Sequence, residues 1–261
     1  MSYKYIKTTR KIAFWLFIIL LPITFFTRNS YRQVSNIDPR VLIAPVQSEA
    51  TDKNIIRFTK GDFEYELTPL YDYDISGLIV HRMDYTWFDI YKYDSIFPLD
   101  LCMIWGSNVE SGVYKNKSLS FSQDARFCWY QWFGNLTFNG SELSNNHLLV
   151  KDKALEDKIK SLNSGDQVRI KGKLVNVSGR NIGSPGEYDP SEFNIHSSIT
   201  RSDAGAGACE VIYFEDLEIL KKGNPISSFL FEASYYGLII LILWWIIDLI
   251  WYVFFSKEPE F

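Results

Sequence analysis

Two apolar blocks near the ends of the 261-residue chain dominate its pattern of hydrophobic and polar positions. The 16 residues between Lys11 and Arg28 carry no charge, and the 23 residues from Ala233 to Phe255 carry only Asp248. At about 1.5 Å per residue, helices of these lengths cover most or all of the ~30 Å hydrocarbon core of a bilayer. The pattern therefore predicts transmembrane helices at residues 12–27 and 229–255.

The ends of these helices predict their orientation. Four basic residues precede the first block, and no small-x-small cleavage site follows it, which favours an uncleaved signal anchor over a cleaved signal peptide. By the positive-inside rule, residues 1–11 and the tail at 256–261 lie in the cytoplasm. The middle of the chain is then exported, and the expected location is a bacterial inner membrane with the large domain in the periplasm.

The middle of the chain alternates apolar and polar residues over short segments, as half-buried strands do. Residues 28–54 show no period and are expected to form a linker, whereas residues 55–222 form the exported domain. One helix is expected at 152–162, where Leu155, Ile159 and Leu162 share a face. The predicted strands cover residues 63–67, 73–81, 99–105, 126–132, 166–177 and 209–220.

Composition narrows the classes of partner. The chain is 47% hydrophobic, so a packed core is expected rather than disorder. Residues 28–228 hold 22 Lys and Arg against 27 Asp and Glu, a net charge of −5. An acidic domain binds polyanions poorly, so nucleic acid is not an expected partner. The expected partner is a membrane protein or a second copy of this chain.

The order of elements resembles that of the OB-fold, a five-stranded barrel with one helix between its third and fourth strands. The resemblance is carried by residues 75–80 and 165–174, where strand glycines permit sharp coiling, and it covers about residues 73–220. It implies a mainly β fold: an OB-like five-stranded barrel with one helix, flanked by the two transmembrane helices. A five-stranded meander with a packed helix is the alternative.

A second, narrower resemblance is to an uncharacterised family of small bacterial membrane-anchored proteins. It rests on residues 100–106, 144–148, 165–166 and 197–210, and it departs from the family pattern where Leu149 and Val150 follow the His-Leu pair. It implies an architecture and a list of candidate positions, but no activity.

The three cysteines, Cys102, Cys128 and Cys209, all lie in the predicted exported domain. In an oxidising compartment, one disulfide and one free thiol are expected. Cys102 and Cys128 are expected on neighbouring strands of one sheet, where a disulfide between them is possible. Their spacing matches no zinc motif, and neither a metal nor a cofactor is expected.

Residues 200–210 form the most unusual local sequence, with Arg201, Asp203 and Glu210 around two glycines. The segment either presents backbone N–H groups and Arg201 to an anion, or forms a tight turn before the last strand. It lacks the GxxxxGK[ST] pattern of a phosphate loop. His147 and Trp105 complete the candidate ligand-binding residues.

A histidine without a second ligand nearby is more typical of a hydrogen-bonded structural position than of a metal site. A Cys209 thiolate activated by His147 or His196, or a triad of Ser198 with His147 and Asp203, has no local motif in its support. The aromatic stretch at residues 129–133, with Trp87, Phe88 and Trp105, indicates core packing together with a contact surface for protein or glycan.

Asp248 lies within the second apolar block, where an ionisable group needs a partner. Either Lys11 or a group on another chain is expected to pair with it. Trp244, Trp245, Trp251 and Tyr252 lie on the same stripe, so Asp248, Trp244 and Trp251 are candidates for an intramembrane interface. The alternative is a protonated Asp248 bonded to its own backbone.

The leading hypothesis is a membrane-anchored, non-enzymatic module that binds or assembles with other cell-envelope proteins. The alternative is a small-ligand or anion sensor, or an enzyme, with a site around Arg201, Asp203, Cys209, Glu210 and His147. The two differ in a geometric expectation, because the alternative requires these five side chains to meet at an open cleft.

Overall fold

The computed structural model describes residues 3–85, 96–124, 126–184, 189–200, 203 and 208–255. The chain divides into two compact units. One contains residues 1–30 with 224–261, and the other contains residues 31–223.

The first unit is a pair of helices, α1 (Tyr3–Arg28) and α4 (Pro225–Phe255). Each is long and apolar enough to cross a membrane, as the sequence predicts. Both begin earlier than expected, because the helical backbone continues through the flanking polar residues. The helices pack through Phe14 and Trp245, whose ring centroids are 4.9 Å apart. They also approach closely at Gly237, where a Cβ would lie 2.3 Å from the ring of Phe17.

The second unit is built mainly from β-strands. Its strands and helices are β1 (Val46–Glu49), β2 (Ile56–Lys60), β3 (Phe63–Asp84), β4 (Leu99–Ile104), α2 (Ser107–Glu110), β5 (Leu119–Asp124), β6 (Phe127–Trp132), β7 (Leu143–Leu149), α3 (Lys153–Lys160), β8 (Gln167–Asn181), β9 (Glu192–Ile195) and β10 (Glu210–Lys221).

Eight of these strands form one sheet that closes on itself. Strands β3, β4, β7, β10 and β8 are paired in that order, and β3 also pairs with β8, which completes a ring. All the ring pairings are antiparallel except that between β7 and β10, which is parallel. The predicted strands at 63–67 and 73–81 are parts of the single long strand β3.

All five ring strands contribute to one buried cluster. Its members include Ile75 on β3, Leu101 on β4, Leu148 on β7, Ile170 on β8 and Ile212 on β10. Helix α3 begins where the Asp152 carboxylate accepts a hydrogen bond from the Leu155 N–H, and it adds Ile159 to the same cluster. The predicted amphipathic helix is therefore present.

The predicted strand at residues 126–132 is not a member of the ring. Within the described part of the chain, this segment contains β6 (Phe127–Trp132), which pairs with β5 in a separate two-stranded sheet. The place between β4 and β10 is taken by β7, which begins Leu-Ser-Asn-Asn-His and therefore lacks the apolar alternation of a half-buried strand. Two of its polar side chains, Asn145 and His147, face outward and are covered by the β5–β6 hairpin, whereas Ser144 and Asn146 face the ring interior.

The segment predicted as a linker folds onto the domain instead. Val34 is 3% exposed and Val41 is fully buried, both in an apolar cluster that includes Leu78 and Tyr114. The Gln167 side chain accepts a hydrogen bond from the Asp38 N–H, at 2.7 Å. Two isolated valines are enough to anchor the segment to the domain. They do not produce a periodic pattern, so the sequence does not predict their burial.

Candidate functional site

The outer face of three adjacent ring strands carries a cluster of polar and sulfur-containing side chains. Asp100 lies opposite His147 and Cys102 lies opposite Asn145 in the β4–β7 register. His147 in turn lies beside Val211 on β10, so Cys209, two residues earlier, falls beside Asn145. The pairing of β4, β7 and β10 thus places residues of three distant segments on one face: Asp100 and Cys102, Asn145 and His147, and Cys209.

Asp100 and His147 form an ion pair at the centre of this face. The Nδ1 atom of His147 lies 2.8 Å from Oδ2 of Asp100. The carboxylate is fully buried and the histidine is 7% exposed. The contact is electrostatic, because the Nδ1 atom of His147 lacks the geometry of a hydrogen bond to this carboxylate.

The pairing changes the protonation of the imidazole. Burial by itself lowers the pKa of His147, but the Asp100 carboxylate and, after it, the Cys209 sulfur outweigh burial and raise the pKa to about 10. The imidazole is therefore a cation at neutral pH.

Cys209 is the third member of the cluster. Its side chain lies close enough to His147 to raise the pKa of that imidazole, and its Sγ atom accepts a hydrogen bond from Asn145 Nδ2 at 3.3 Å. Cys209 is a free, partly exposed cysteine. Contact with an imidazolium is the environment that activates cysteine nucleophiles.

The turn between β5 and β6 closes one side of the cluster. Arg126 has a φ of 66°, a left-handed conformation rare outside glycine, and its Nη1 atom lies 3.3 Å from Oδ1 of Asp100. Its guanidinium stacks 4.0 Å from the ring of Tyr85. Burial, followed by the nearby Asp100 carboxylate, raises the pKa of Tyr85.

Asn145 is held by a chain of hydrogen bonds. Its Nδ2 atom donates to the Arg126 carbonyl at 2.6 Å, and its Oδ1 atom accepts from Gln123 Nε2 at 3.0 Å. The Gln123 Oε1 atom lies 3.1 Å from Nδ1 of His81. The amide that contacts Cys209 is therefore fixed on both sides.

A disulfide joins the hairpin to the ring beside this chain. Cys102 on β4 is bonded to Cys128 on β6, with Cα atoms 5.8 Å apart. The two cysteines lie in different sheets, so their predicted placement on neighbouring strands of one sheet is wrong. The hairpin packs over β4 rather than beside it, which brings the same two residues together.

The cluster opens onto a cleft of about 480 Å³. Cys209 and Asn145 lie in its lining, together with Cys128 and Asp203. Its other walls are largely apolar and include Phe127, Trp129, Tyr130 and Leu143. A thiol, an amide donor and apolar walls thus face one space.

The residues predicted as a site meet only in part. Cys209 and His147 are in contact, and Asp203 lines the same cleft, where its carboxylate accepts a hydrogen bond from Ser198 Oγ. Ser198 is therefore paired with Asp203, while the buried acid on His147 is Asp100. Arg201 lies outside the described residues, as do Trp87 and Phe88.

Two other predicted positions face the ring interior. Glu210 pairs with Asn146 in the β7–β10 register, on the face opposite His147, and is 6% exposed. Trp105 is 2% exposed and belongs to the cluster inside the ring, so it does not line the cleft. Strand alternation separates Glu210 from Cys209 although the two are adjacent in sequence.

Sequence reasoning did not select Asp100, Arg126 or Asn145. Asp100 carried one available signal, because it is the only charged residue in the otherwise apolar segment Leu99–Ile104. A charge in such a strand is buried and requires a partner. No comparable signal marks Arg126, whose role depends on the turn conformation.

The helical unit holds a second ion pair. Arg10 Nη1 lies 2.6 Å from Oδ2 of Asp248, and the Arg10 guanidinium lies 4.7 Å from the ring of Trp244. The expected partner Lys11 is thus replaced by its neighbour, because one residue along a helix turns the side chain by ~100° and Arg10 is the one that faces α4. Trp244 and Trp251 are 44% and 64% exposed.

Among the described residues, no group of three or more His, Cys, Asp or Glu side chains is arranged to hold a metal ion. Comparison of the chain with profiles of protein families, with characterised proteins and with solved structures finds no match.

Proposed function

We propose that the exported domain is a cysteine-dependent acyl hydrolase or acyltransferase, with Cys209 as nucleophile. The observation that carries this proposal is the contiguous Asp100–His147–Cys209 arrangement at the wall of an open cleft. A nucleophile, an imidazolium beside it that can give up and regain a proton, and a buried carboxylate paired with that imidazolium are the parts such chemistry requires.

Each residue has a distinct role. The sulfur of Cys209 attacks a carbonyl carbon, and the carbonyl oxygen receives a hydrogen bond from Asn145 Nδ2. His147 gives its proton to the leaving group, so that a thioester to Cys209 remains. Water or an acceptor alcohol or amine then attacks the thioester while His147 takes the proton back. The charge of Asp100 stabilises the imidazolium form of His147.

The test uses the full-length protein in mild detergent with an activated aryl ester as probe. The proposal expects a burst of phenol release and an acyl adduct on Cys209, found by mass spectrometry of the tryptic peptide 202–221. Cys209→Ala should abolish the adduct, and His147→Ala should slow its formation by about a hundredfold.

The matched control is His196→Ala, since His196 is an exposed histidine that is not a member of the Asp100–His147–Cys209 cluster. It should react like the wild type. An adduct at other residues, or one whose rate is unchanged in His147→Ala, would contradict the proposal.

A second candidate function is the non-enzymatic binding module, supported by the outer surface of the β5–β6 hairpin. Trp129 is 56% exposed and Phe133 is 75% exposed, with Tyr130 and Trp132 beside them. Exposed aromatic side chains of this density are typical of contact surfaces. Native-detergent capture followed by mass spectrometry should recover a partner with the wild type and not with Phe133→Ala, a residue outside the cleft lining, if this candidate holds.

The ring of strands β3, β4, β7, β10 and β8 supports an OB-like barrel as the finer description of the fold. Its connectivity, with α3 between the third and fourth ring strands and a parallel pair between the third and fifth, agrees with that proposal. Membership in the uncharacterised membrane-anchored bacterial family is proposed on the sequence resemblance alone.

The proposed location is a bacterial inner membrane with residues 31–223 in the periplasm. Four basic residues before the first span favour this orientation, and a disulfide in the domain is compatible with an oxidising compartment. A reporter fused at residue 160 should be active outside the cytoplasm, and cytoplasmic activity would overturn this part of the proposal.

A further inference from the structure

The disulfide and the free thiol lie next to the same amide side chain. Asn145 is directly opposite Cys102 in the strand register, and its Nδ2 atom is 3.3 Å from Cys209 Sγ. Gln123, which donates to Asn145 Oδ1, is directly opposite Cys128 in the hairpin. All three cysteines therefore surround one residue.

The two sulfurs of the disulfide differ in access. Cys128 lines the cleft together with Cys209, whereas Cys102 is fully buried. Thiol–disulfide exchange proceeds through attack by a thiolate on the accessible sulfur of a disulfide. Cys209 faces the cleft, contacts the His147 imidazolium and shares the cleft with the sulfur of Cys128.

We infer that Cys102, Cys128 and Cys209 form a thiol–disulfide exchange site, an activity distinct from acyl transfer. The Cys209 thiolate attacks Cys128 Sγ, the Cys102–Cys128 bond breaks, and a Cys128–Cys209 disulfide forms. The electron pair leaves with Cys102, so the negative charge passes from Cys209 to Cys102 and no external oxidant is consumed. The new disulfide lies at the cleft, where a small thiol or a protein thiol can attack it.

The exchange has a direct chemical readout, because trypsin places each cysteine on its own peptide: residues 93–115, 127–151 and 202–221. Full-length protein in detergent is equilibrated with a glutathione buffer at pH 8, quenched with acid, alkylated and digested. The inference expects a Cys128–Cys209 linked peptide in the wild type beside the Cys102–Cys128 peptide. Its absence after equilibration would overturn the inference.

Two variants sharpen the result. In C102S, Cys128 is freed to pair with Cys209, and both thiols should be lost together on oxidation in the monomer. C209S serves as the control and should keep only the Cys102–Cys128 peptide. If C102S does not fold, the wild-type measurement still decides. Because no ester substrate is involved, exchange can fail while acyl transfer holds, and the reverse is equally observable.

Discussion

At His147, burial and the neighbouring charge shift the pKa of the imidazole in opposite directions. Its pKa is raised from 6.5 to about 10 in the folded protein, because the Asp100 carboxylate outweighs the cost of burying the imidazolium. A group with a higher pKa in the folded state stabilises the fold fully below its unfolded pKa. That stability is lost as the pH rises through the folded pKa.

We therefore predict that the free energy of unfolding declines between about pH 6.5 and pH 10 through this group. His147→Gln, which is neutral at every pH, should show a flatter profile over the same window. The measurement is chemical denaturation of both proteins at a series of pH values. Parallel profiles would contradict the assignment, and His196→Gln controls for the loss of an ordinary histidine.

The identity of this site was only partly predictable at the scale of single residues. His147 and Cys209 were both considered, but each lacked a neighbour in the sequence that supported a chemical role. Asp100 lies 47 residues before His147, and only the β4–β7 register brings the two together. Long-range pairing of this kind leaves no local pattern.

At the scale of elements, β8 and β10 approach each other closely at Gly172. A Cβ on Gly172 would lie 2.2 Å from the backbone oxygen of Tyr213, which cannot move without breaking the strand pairing. Gly77 on β3 offers a comparison, since the atom nearest to its Cβ would be the flexible end of Met103, at 2.8 Å.

Gly172→Ala is accordingly expected to destabilise the domain by about 1–3 kcal/mol, and more than Gly77→Ala does. Thermal unfolding of the two variants gives the comparison. Equal melting temperatures for both variants would show that β10 can move away from Gly172.

Besides the apolar contacts between α1 and α4, an ion pair between Arg10 and Asp248 joins the two helices. Removing one member of an ion pair leaves the other charge in an apolar environment, whereas removing both does not. We predict that Asp248→Leu and Arg10→Leu each lower the melting temperature of the helical unit in detergent, and that the double variant recovers part of the loss. Additive losses would show that the two side chains act independently.

The same residue tests the proposed intramembrane interface. Asp248 is partly exposed on α4, between the exposed Trp244 and Trp251. Asp248→Leu should weaken association with a partner, and Asp248→Asn, which keeps a hydrogen-bonding group, should do so less. Equal recovery of the complex from wild type and Asp248→Leu in mild detergent would remove Asp248 from any interface.

Periodicity predicted most of the elements whose residues alternate or run apolar, although not the alternating strand β5, and it missed a strand whose buried residues are polar. The two long helices, α3 and most ring strands belong to the first group. Strand β7 belongs to the second group, because its buried residues Asn145, Asn146 and His147 are polar. These side chains make hydrogen bonds and an ion pair. The strand that carries the site was thus the hardest to predict.

At the scale of the whole molecule, apolar helices and a β domain are separable in the sequence because their compositions differ. Composition does not predict the function in the same way. It depends on how a hairpin outside the ring covers one face of three strands, and that arrangement fixes Arg126, the disulfide and the cleft together. We propose that this face, covered by the hairpin, makes the sulfur of Cys209 a reactive nucleophile.

The most direct test of that claim is the rate at which iodoacetamide alkylates Cys209 at pH 7 in the full-length protein. We predict that the wild type reacts at least about tenfold faster than His147→Ala, because the imidazolium beside the sulfur is lost. His196→Ala should react at the wild-type rate. Equal rates for wild type and a folded His147→Ala protein would contradict the account.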